Sequence, residues 1–181
     1  IAGYDPRDST SRDRPYSHAP TADVQGMKIG LPAEFFGEGV DPAVAETVRT
    51  AVRVLEDAGA TTVPCSMPSM KHALAAYYVI CTSEASSNLA RFDGIRYGPG
   101  GDLRKSWHEE FSDRRQQRFG KEVRRRIILG TFSLAAGYYG RYYQKAQTAR
   151  QMVRDDFTRL FADLDLIIGP TMPTVAFRLR E

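Results

Sequence analysis

Cysteine, histidine and long apolar runs are scarce in this sequence, and each scarcity excludes a class of protein. The 181 residues include only two cysteines, Cys65 and Cys81, and three histidines. Two cysteines without neighbouring histidines cannot frame a disulfide scaffold or a zinc site, and free thiols suit a reducing compartment. No stretch approaches the roughly 18 consecutive apolar residues of a membrane span. We therefore expect a cytoplasmic protein with no membrane segment and no metal site.

Recognisable catalytic motifs are also missing. The sequence has no Gly-x-Ser-x-Gly elbow, and the serine pair at 86–87 lies within a helical pattern. His18, His72 and His108 are far apart, with no spacing typical of a metal pair or of a base beside a nucleophile. The glycine-rich segment 98–101 is not followed by the Lys-Ser/Thr of a phosphate-binding loop. As an enzyme the chain looks incomplete, and we assign no catalytic residue within it.

The charge balance excludes a dedicated nucleic-acid wrapper. There are 25 Lys and Arg against 22 Asp and Glu, which gives a formal net charge of +3. One basic cluster stands out, within residues 114–126, and it could follow a phosphate backbone. Asp113 and Glu122 dilute that cluster, so a solvated helical face is the other interpretation. A chain of this length with 42% apolar residues is sufficient for one hydrophobic core.

The hydrophobic pattern predicts an α/β fold that is mostly helical with a few strands. The polar segment 1–26 opens with an ordered, turn-rich connection over 1–10. Strands at 27–31 and 61–63 then flank a helix that begins at Asp41-Pro42 and stops at Gly59. Strand, helix and strand in this order are typical of a parallel crossover unit. Helices follow near 69–91, 103–111, 120–136 and 138–162, the first of them mostly buried, and a buried strand is expected over 164–168.

Two helical stripes combine small and polar residues in an unusual way. At 100° per residue, one face of the 120–136 helix carries Arg126, Gly130, Ser133 and Gly137. Such a stripe suits a close helix crossing, which we favour on the residues alone, or a carboxylate held by the guanidinium. One face of the 69–91 helix carries polar groups that would need partners if buried. These residues are Ala73, Tyr77, Cys81, Glu84 and Asn88.

Several longer motifs resemble those of a known family. They are MKIGLPAEFFGEGVDP at 27–42, EASSNLARFDGIRYG at 84–98, FGKEVRRRI at 119–127, LGTF at 129–132 and IGPTMPT at 168–174. Together they run almost from end to end of the chain. In this order they resemble the A subunits of the tRNA-dependent amidotransferases, which are amidase signature enzymes.

The resemblance implies a fold, a reaction and a set of partners. The fold is a central mixed sheet surrounded by helices, with residues 1–181 forming the C-terminal half portion of a single amidase domain, truncated at both ends. The intact subunit would hydrolyse glutamine, and its ammonia would convert Glu-tRNA(Gln) to Gln-tRNA(Gln) or Asp-tRNA(Asn) to Asn-tRNA(Asn). Its partners would be B and C subunits, with ATP and magnesium used by the complex to activate the aminoacyl-tRNA on the B subunit. The sequence of this chain does not indicate which of the two tRNAs is the substrate.

The resemblance also assigns residues. The Lys and the two Ser of amidase signature catalysis would lie before Ile1, so the chain by itself is expected to be inactive. Tyr77 and Arg126 occupy the positions that hold glutamine in the family, the arginine on its α-carboxylate. Two alternatives stay open: an amidase signature enzyme that acts on another amide, and a non-enzymatic RNA-binding helical module based on Arg114–Arg126.

Overall fold

A computed structural model describes residues 3–14, 23–98, 100, 104 and 106–179. Its sheet has three parallel strands in the order β2-β1-β3, namely β1 (Lys28–Pro32), β2 (Thr61–Cys65) and β3 (Leu166–Ile167). Lys28 pairs with Thr61 in one register, and Ile29 pairs with Leu166 in the other. The predicted parallel crossover is therefore confirmed, as is the α/β class.

Helix α1 (Pro42–Asp57) forms the crossover, and its ends follow from local chemistry. The Asp41 carboxylate accepts a hydrogen bond of 2.8 Å from the amide of Ala43, and Pro42 occupies the first helical position. Gly59 takes a φ of +99° just beyond the helix, a conformation that favours glycine. The predicted start and stop of this helix are therefore confirmed, and Val52 on its inner face is buried.

Four further helices follow: α2 (Ala73–Leu89), α3 (Trp107–Arg118), α4 (Lys121–Leu134) and α5 (Lys145–Leu160). Helix α3 starts with a capping box in which the side chains and amides of Ser106 and Glu109 satisfy one another. The start that we predicted for this helix, residue 103, lies outside the described residues. Helix α5 is preceded by a π-helical turn over Gly140–Gln144, which divides the single helix expected over 138–162. No helix in the described part of the chain is long and apolar enough to span a membrane.

Helices α2 and α4 pack closely, because the stripe of α4 that contains Gly130 has no side chain at the point of contact. A methyl group on Gly130 would collide with the backbone carbonyl of Thr82 and would lie 2.7 Å from Cβ of Ser86. The hydroxyls of Ser86 and Thr131 are 2.9 Å apart across the same crossing. The close crossing is confirmed, although Gly137 lies beyond the end of α4 and takes no part in it.

Two expectations about burial are wrong. The segment 69–91 begins with a 3-10 turn over Pro68–His72, and the following α2 exposes 67% of Leu74 and 52% of Tyr77. The strand expected over 164–168 has only two residues, and Leu166 is 43% exposed at an edge of the described sheet. Both segments are apolar in sequence, but each has one face without a covering layer among the described residues.

The hydrophobic core lies between the sheet and the C-terminal part of α5. Met67, Leu160 and Leu164 form its centre, and Phe35 and Ile167 pack against them. The ordered connection predicted over 1–10 is confirmed in its described residues 3–10, where the amide of Asp5 donates to Ser11 Oγ at 2.8 Å. Residues 15–22, and with them His18, lie outside the described part.

Candidate functional site

The polar stripe of α2 lines a cavity. Ala73, Tyr77, Cys81, Glu84 and Asn88 face the same open space of about 620 Å³, as the 3.6-residue period predicts. Helix α5 supplies the opposite side through Arg150 and Val153. The cavity therefore has mostly apolar walls, with polar groups spaced along α2 and the charged side chain of Arg150 on the α5 side.

Arg126 reaches this stripe from α4. Its Nε donates to Glu122 Oε1 at 2.9 Å, and its Nη1 is 3.8 Å from the sulfur of Cys81. The hydrogen bond to Glu122, followed by one to the hydroxyl of Tyr77, raises the pKa of the Arg126 guanidinium above its ordinary value. The side chain is 35% exposed, so it lies at the surface of the α2–α4 pair with its tip turned towards α2. The structure thus brings Tyr77 and Arg126 together.

Different turns of the α4 stripe contribute to the site in different ways. Gly130 and Ser133 are buried and let α4 approach α2, and Ser133 Oγ donates to the carbonyl of Leu129 within its own helix at 3.0 Å. Arg126, one turn earlier on the same face, is therefore held beside Tyr77 by the close packing. The two interpretations of this stripe, helix crossing and anion holding, are compatible because they concern different turns of α4.

The basic cluster is largely engaged with the protein itself. Arg114 pairs with Glu110, and Arg125 forms two hydrogen bonds with Glu122 at 2.8 and 3.0 Å. Arg115 donates to the carbonyls of Leu89 and Phe92 at 3.1 and 3.0 Å, which closes the C-terminal end of α2. These partners favour a structural role for the cluster over a phosphate track. Sequence reasoning missed the role of Arg115 because its partners are 26 and 23 residues away.

A tight turn after α2 holds a further arginine–carboxylate pair, which the sequence patterns did not reveal. Asp93 Oδ1 accepts from the amides of Ile95 and Arg96 at 2.9 Å each, and its Oδ2 accepts from Arg96 Nε at 2.7 Å. These donors, the Arg96 guanidinium first, hold the pKa of Asp93 well below its usual range. Gly94 has a φ of +80°, so the Asp-Gly pair was the available signal for this turn.

The described part of the chain shows no assembled catalytic group. Among these residues no group of three or more His, Cys, Asp or Glu side chains is arranged to hold a metal ion. His72 precedes α2 and His108 lies in α3, both exposed. The cavity is therefore lined by the phenol of Tyr77, the thiol of Cys81, the carboxylate of Glu84 and the guanidinium of Arg150. Arg126 reaches this wall from α4 beside Cys81. The arrangement suits binding of a small polar molecule more than bond cleavage.

The sequence matches the profile of the Amidase family over residues 1–181, and the chain belongs to that family. Within it, the chain is 71% identical over 181 residues to the A subunit of the glutamyl-tRNA(Gln) amidotransferase of Methanospirillum hungatei. The match covers all of this chain and 42% of that protein. The chain thus spans less than half the length of this relative.

Solved structures agree with this assignment. The crystal structure of the A subunit of glutamyl-tRNA(Gln) amidotransferase from Thermotoga maritima superposes with a TM-score of 0.62 at 33% identity. It is covered over 34% of its length by 99% of this chain. A bacterial aryl acylamidase of the amidase signature family matches at 21% identity with a TM-score of 0.58, over 97% of this chain and 34% of its own. That second likeness shows the fold alone.

Proposed function

We propose that this chain forms one wall of the glutamine pocket in the A subunit of a tRNA-dependent amidotransferase. The observation that carries the proposal is the reach of Arg126 across the α2–α4 crossing to Cys81, which lines a cavity of about 620 Å³ together with Tyr77. The similarity to the Methanospirillum hungatei protein over the whole chain supports the same assignment.

Arg126 suits the α-carboxylate of glutamine. A guanidinium stays charged at every physiological pH and presents paired N–H donors that match the two oxygens of a carboxylate. The sulfur that faces Nη1 is a weak acceptor, so a carboxylate oxygen replaces it with a gain in hydrogen-bond strength. Tyr77 provides a hydroxyl beside this anion. An amide without an α-carboxylate offers nothing to Arg126.

The bond-breaking groups belong to other parts of the whole subunit. In the proposed reaction a serine hydroxyl attacks the side-chain amide carbon of glutamine, ammonia leaves, and water then releases glutamate from the acyl-enzyme. The Lys and the two Ser required for this step are those implied by the family resemblance. We expect the 181-residue chain alone to release no ammonia from glutamine, and release above background would contradict that expectation.

We further propose that the whole subunit works with B and C subunits. ATP and magnesium would serve the B subunit, where the glutamate or aspartate carried by tRNA is activated and receives the ammonia. The residues of this chain would contact glutamine, and aminoacyl-tRNA would bind mainly to the B subunit. A substrate carried by tRNA implies the compartment in which translation takes place, so we propose the cytoplasm.

The test removes the proposed carboxylate interaction once from the enzyme, by altering Arg126, and once from the substrate. We would measure ammonia release by the assembled enzyme from glutamine and from 4-aminobutanamide, which is glutamine without its α-carboxylate. Arg126→Ala should lower kcat/KM for glutamine about 100-fold, which corresponds to about 2.7 kcal/mol, mostly through KM. Turnover of 4-aminobutanamide should change little. Tyr77→Phe should show a smaller loss with glutamine in the same assay.

Arg124→Ala is the matched control, because Arg124 lies on the same helix, is exposed, and loses the same charge. It should leave both substrates within about twofold of the unaltered enzyme. Unchanged glutamine turnover in Arg126→Ala would disprove the carboxylate role. Equal activity of the unaltered enzyme on both substrates would instead support an amidase that acts on simple amides.

A further inference from the structure

Glu122 lies directly behind the guanidinium that we assign to glutamine. Its Oε1 accepts from Arg126 Nε at 2.9 Å and from Arg125 Nη2 at 3.0 Å, and its Oε2 accepts from Arg125 Nε at 2.8 Å. Glu122 and Arg126 are four residues apart, so both side chains stand on one face of α4. Glu122 is itself held in place by two hydrogen bonds from Arg125.

A guanidinium can grip a carboxylate along either of two edges. The side-on edge presents Nε and Nη2, and the end-on edge presents Nη1 and Nη2. In this structure Glu122 already occupies Nε, while Nη1 points across the helix crossing towards Cys81 on the cavity wall. The end-on edge is therefore the one that faces the cavity side.

We propose that Glu122 is a positioning residue that fixes Arg126 so that it receives the α-carboxylate of glutamine end-on, through Nη1 and Nη2. This inference rests on the proposed function and adds to it a residue and a binding geometry. Glu122 does not touch the substrate in this arrangement, because it acts from the far side of the guanidinium. Its negative charge is balanced by Arg125, so the three side chains carry one net positive charge and still attract an anion.

Electrostatics keep this arrangement constant across the working pH range. The hydrogen bonds from Arg125 and then Arg126 lower the pKa of Glu122 to about 2. The carboxylate is thus ionised wherever the enzyme is active, and Arg126 keeps the same partner. Any effect of altering Glu122 should accordingly be independent of pH between about 6 and 9.

The test uses the assembled enzyme with Glu122→Ala and Glu122→Gln. Without the carboxylate, Arg126 gains rotamer freedom, and ordering it again weakens glutamine binding. Glu122→Ala should raise the KM for glutamine about tenfold, less than Arg126→Ala does, with kcat within about twofold. The KM of Glu122→Gln should lie between those of the unaltered enzyme and Glu122→Ala, because an amide oxygen still accepts from Nε. Turnover of 4-aminobutanamide should be unaffected by either variant.

A double variant distinguishes a positioning role of Glu122 from a general structural role. In Arg126→Ala the side chain that Glu122 holds is gone, so adding Glu122→Ala should cause no further rise in KM. An unchanged KM in Glu122→Ala, an equal rise in the Arg126→Ala background, or a loss of kcat with both substrates would each overturn the inference. If Arg126→Ala also leaves glutamine KM unchanged, the proposed function fails; if only the Glu122 variants do, the positioning role alone fails. Glu122→Gln keeps the side-chain shape should Glu122→Ala prevent assembly.

Discussion

At the scale of single residues, the most consequential carboxylate outside the candidate site is Asp156 of α5. It is buried, and its Oδ2 accepts from the amide of Ser69 at 3.0 Å while its Oδ1 accepts from Arg159 at 3.0 Å. The hydrogen bond from Ser69, followed by that from Arg159, lowers the pKa of Asp156 below its ordinary value of 3.8. Asp156 therefore ties the turn that leads into α2 to the helix on the other side of the cavity.

We predict that Asp156→Ala destabilises the protein by about 2 kcal/mol at pH 7, since it leaves the buried amide of Ser69 without a partner. A depressed carboxylate pKa contributes stability that is fully present above the ordinary value of 3.8 and is lost as the pH falls below it. Urea unfolding should show a smaller difference in stability between the two proteins at pH 3 than at pH 7. A pH-independent difference would contradict this account.

The sequence predicted some residues of the candidate site and missed others for identifiable reasons. Tyr77 and Arg126 emerged because each belongs to a stripe with a regular period and to a family motif. Glu122 was treated only as a dilution of positive charge, although its spacing of four residues from Arg126 was a usable signal. The roles of Arg115 and Asp156 could not be found in this way, because the backbone groups that they bind lie 23 or more residues away in sequence.

At the scale of secondary-structure elements, the crossing of α2 and α4 sets the geometry of the site. Gly130 is buried against the carbonyl of Thr82, where no side chain fits. Any increase in the separation of the helices at this turn would also carry Arg126 away from Tyr77 and Cys81. If the proposed function holds, packing and glutamine binding are therefore coupled through one glycine.

We predict that Gly130→Ala destabilises the protein by about 3 kcal/mol, because the added methyl group meets backbone atoms that cannot yield cheaply. The same variant should raise the KM for glutamine in the assembled enzyme. Gly137→Ala is the matched control, since nothing lies within 4 Å of the added carbon there, and it should change stability by less than about 0.5 kcal/mol. Urea unfolding and ammonia release measure the two effects, and equal behaviour of the two variants would refute the coupling.

Element positions were predictable where a local signal marks both ends. The Asp41-Pro42 start and the Gly59 stop fixed α1, and the flanking strands followed. The extent of β3 was not predictable, because an apolar run indicates a strand without saying how many of its residues find a partner. The exposed face of α2 was missed for a related reason: its period shows which residues share a face, whereas burial depends on which other elements pack there.

At the scale of the whole molecule, large apolar side chains lie exposed on the outer faces of α2 and α4. Ile128 is 69% exposed, Leu74 is 67% exposed, and Leu129 and Phe132 follow on α4. Surfaces with several such residues mark contact with another layer of protein. Because the chain spans 42% of the Methanospirillum hungatei protein, we expect the whole subunit to provide that layer.

If another layer covers this face, Ile128→Glu should have opposite effects in the 181-residue chain and in the whole subunit. Ile128→Glu should improve the solubility of the 181-residue chain, since it replaces exposed apolar surface with a charge. In the whole subunit it should lower the melting temperature, because a covered carboxylate without a partner costs several kcal/mol. Arg124→Glu, one turn earlier on the same helix and exposed, introduces the same group and should be nearly neutral in both settings. An unchanged melting temperature of the whole subunit with Ile128→Glu would mean that this face stays open to solvent.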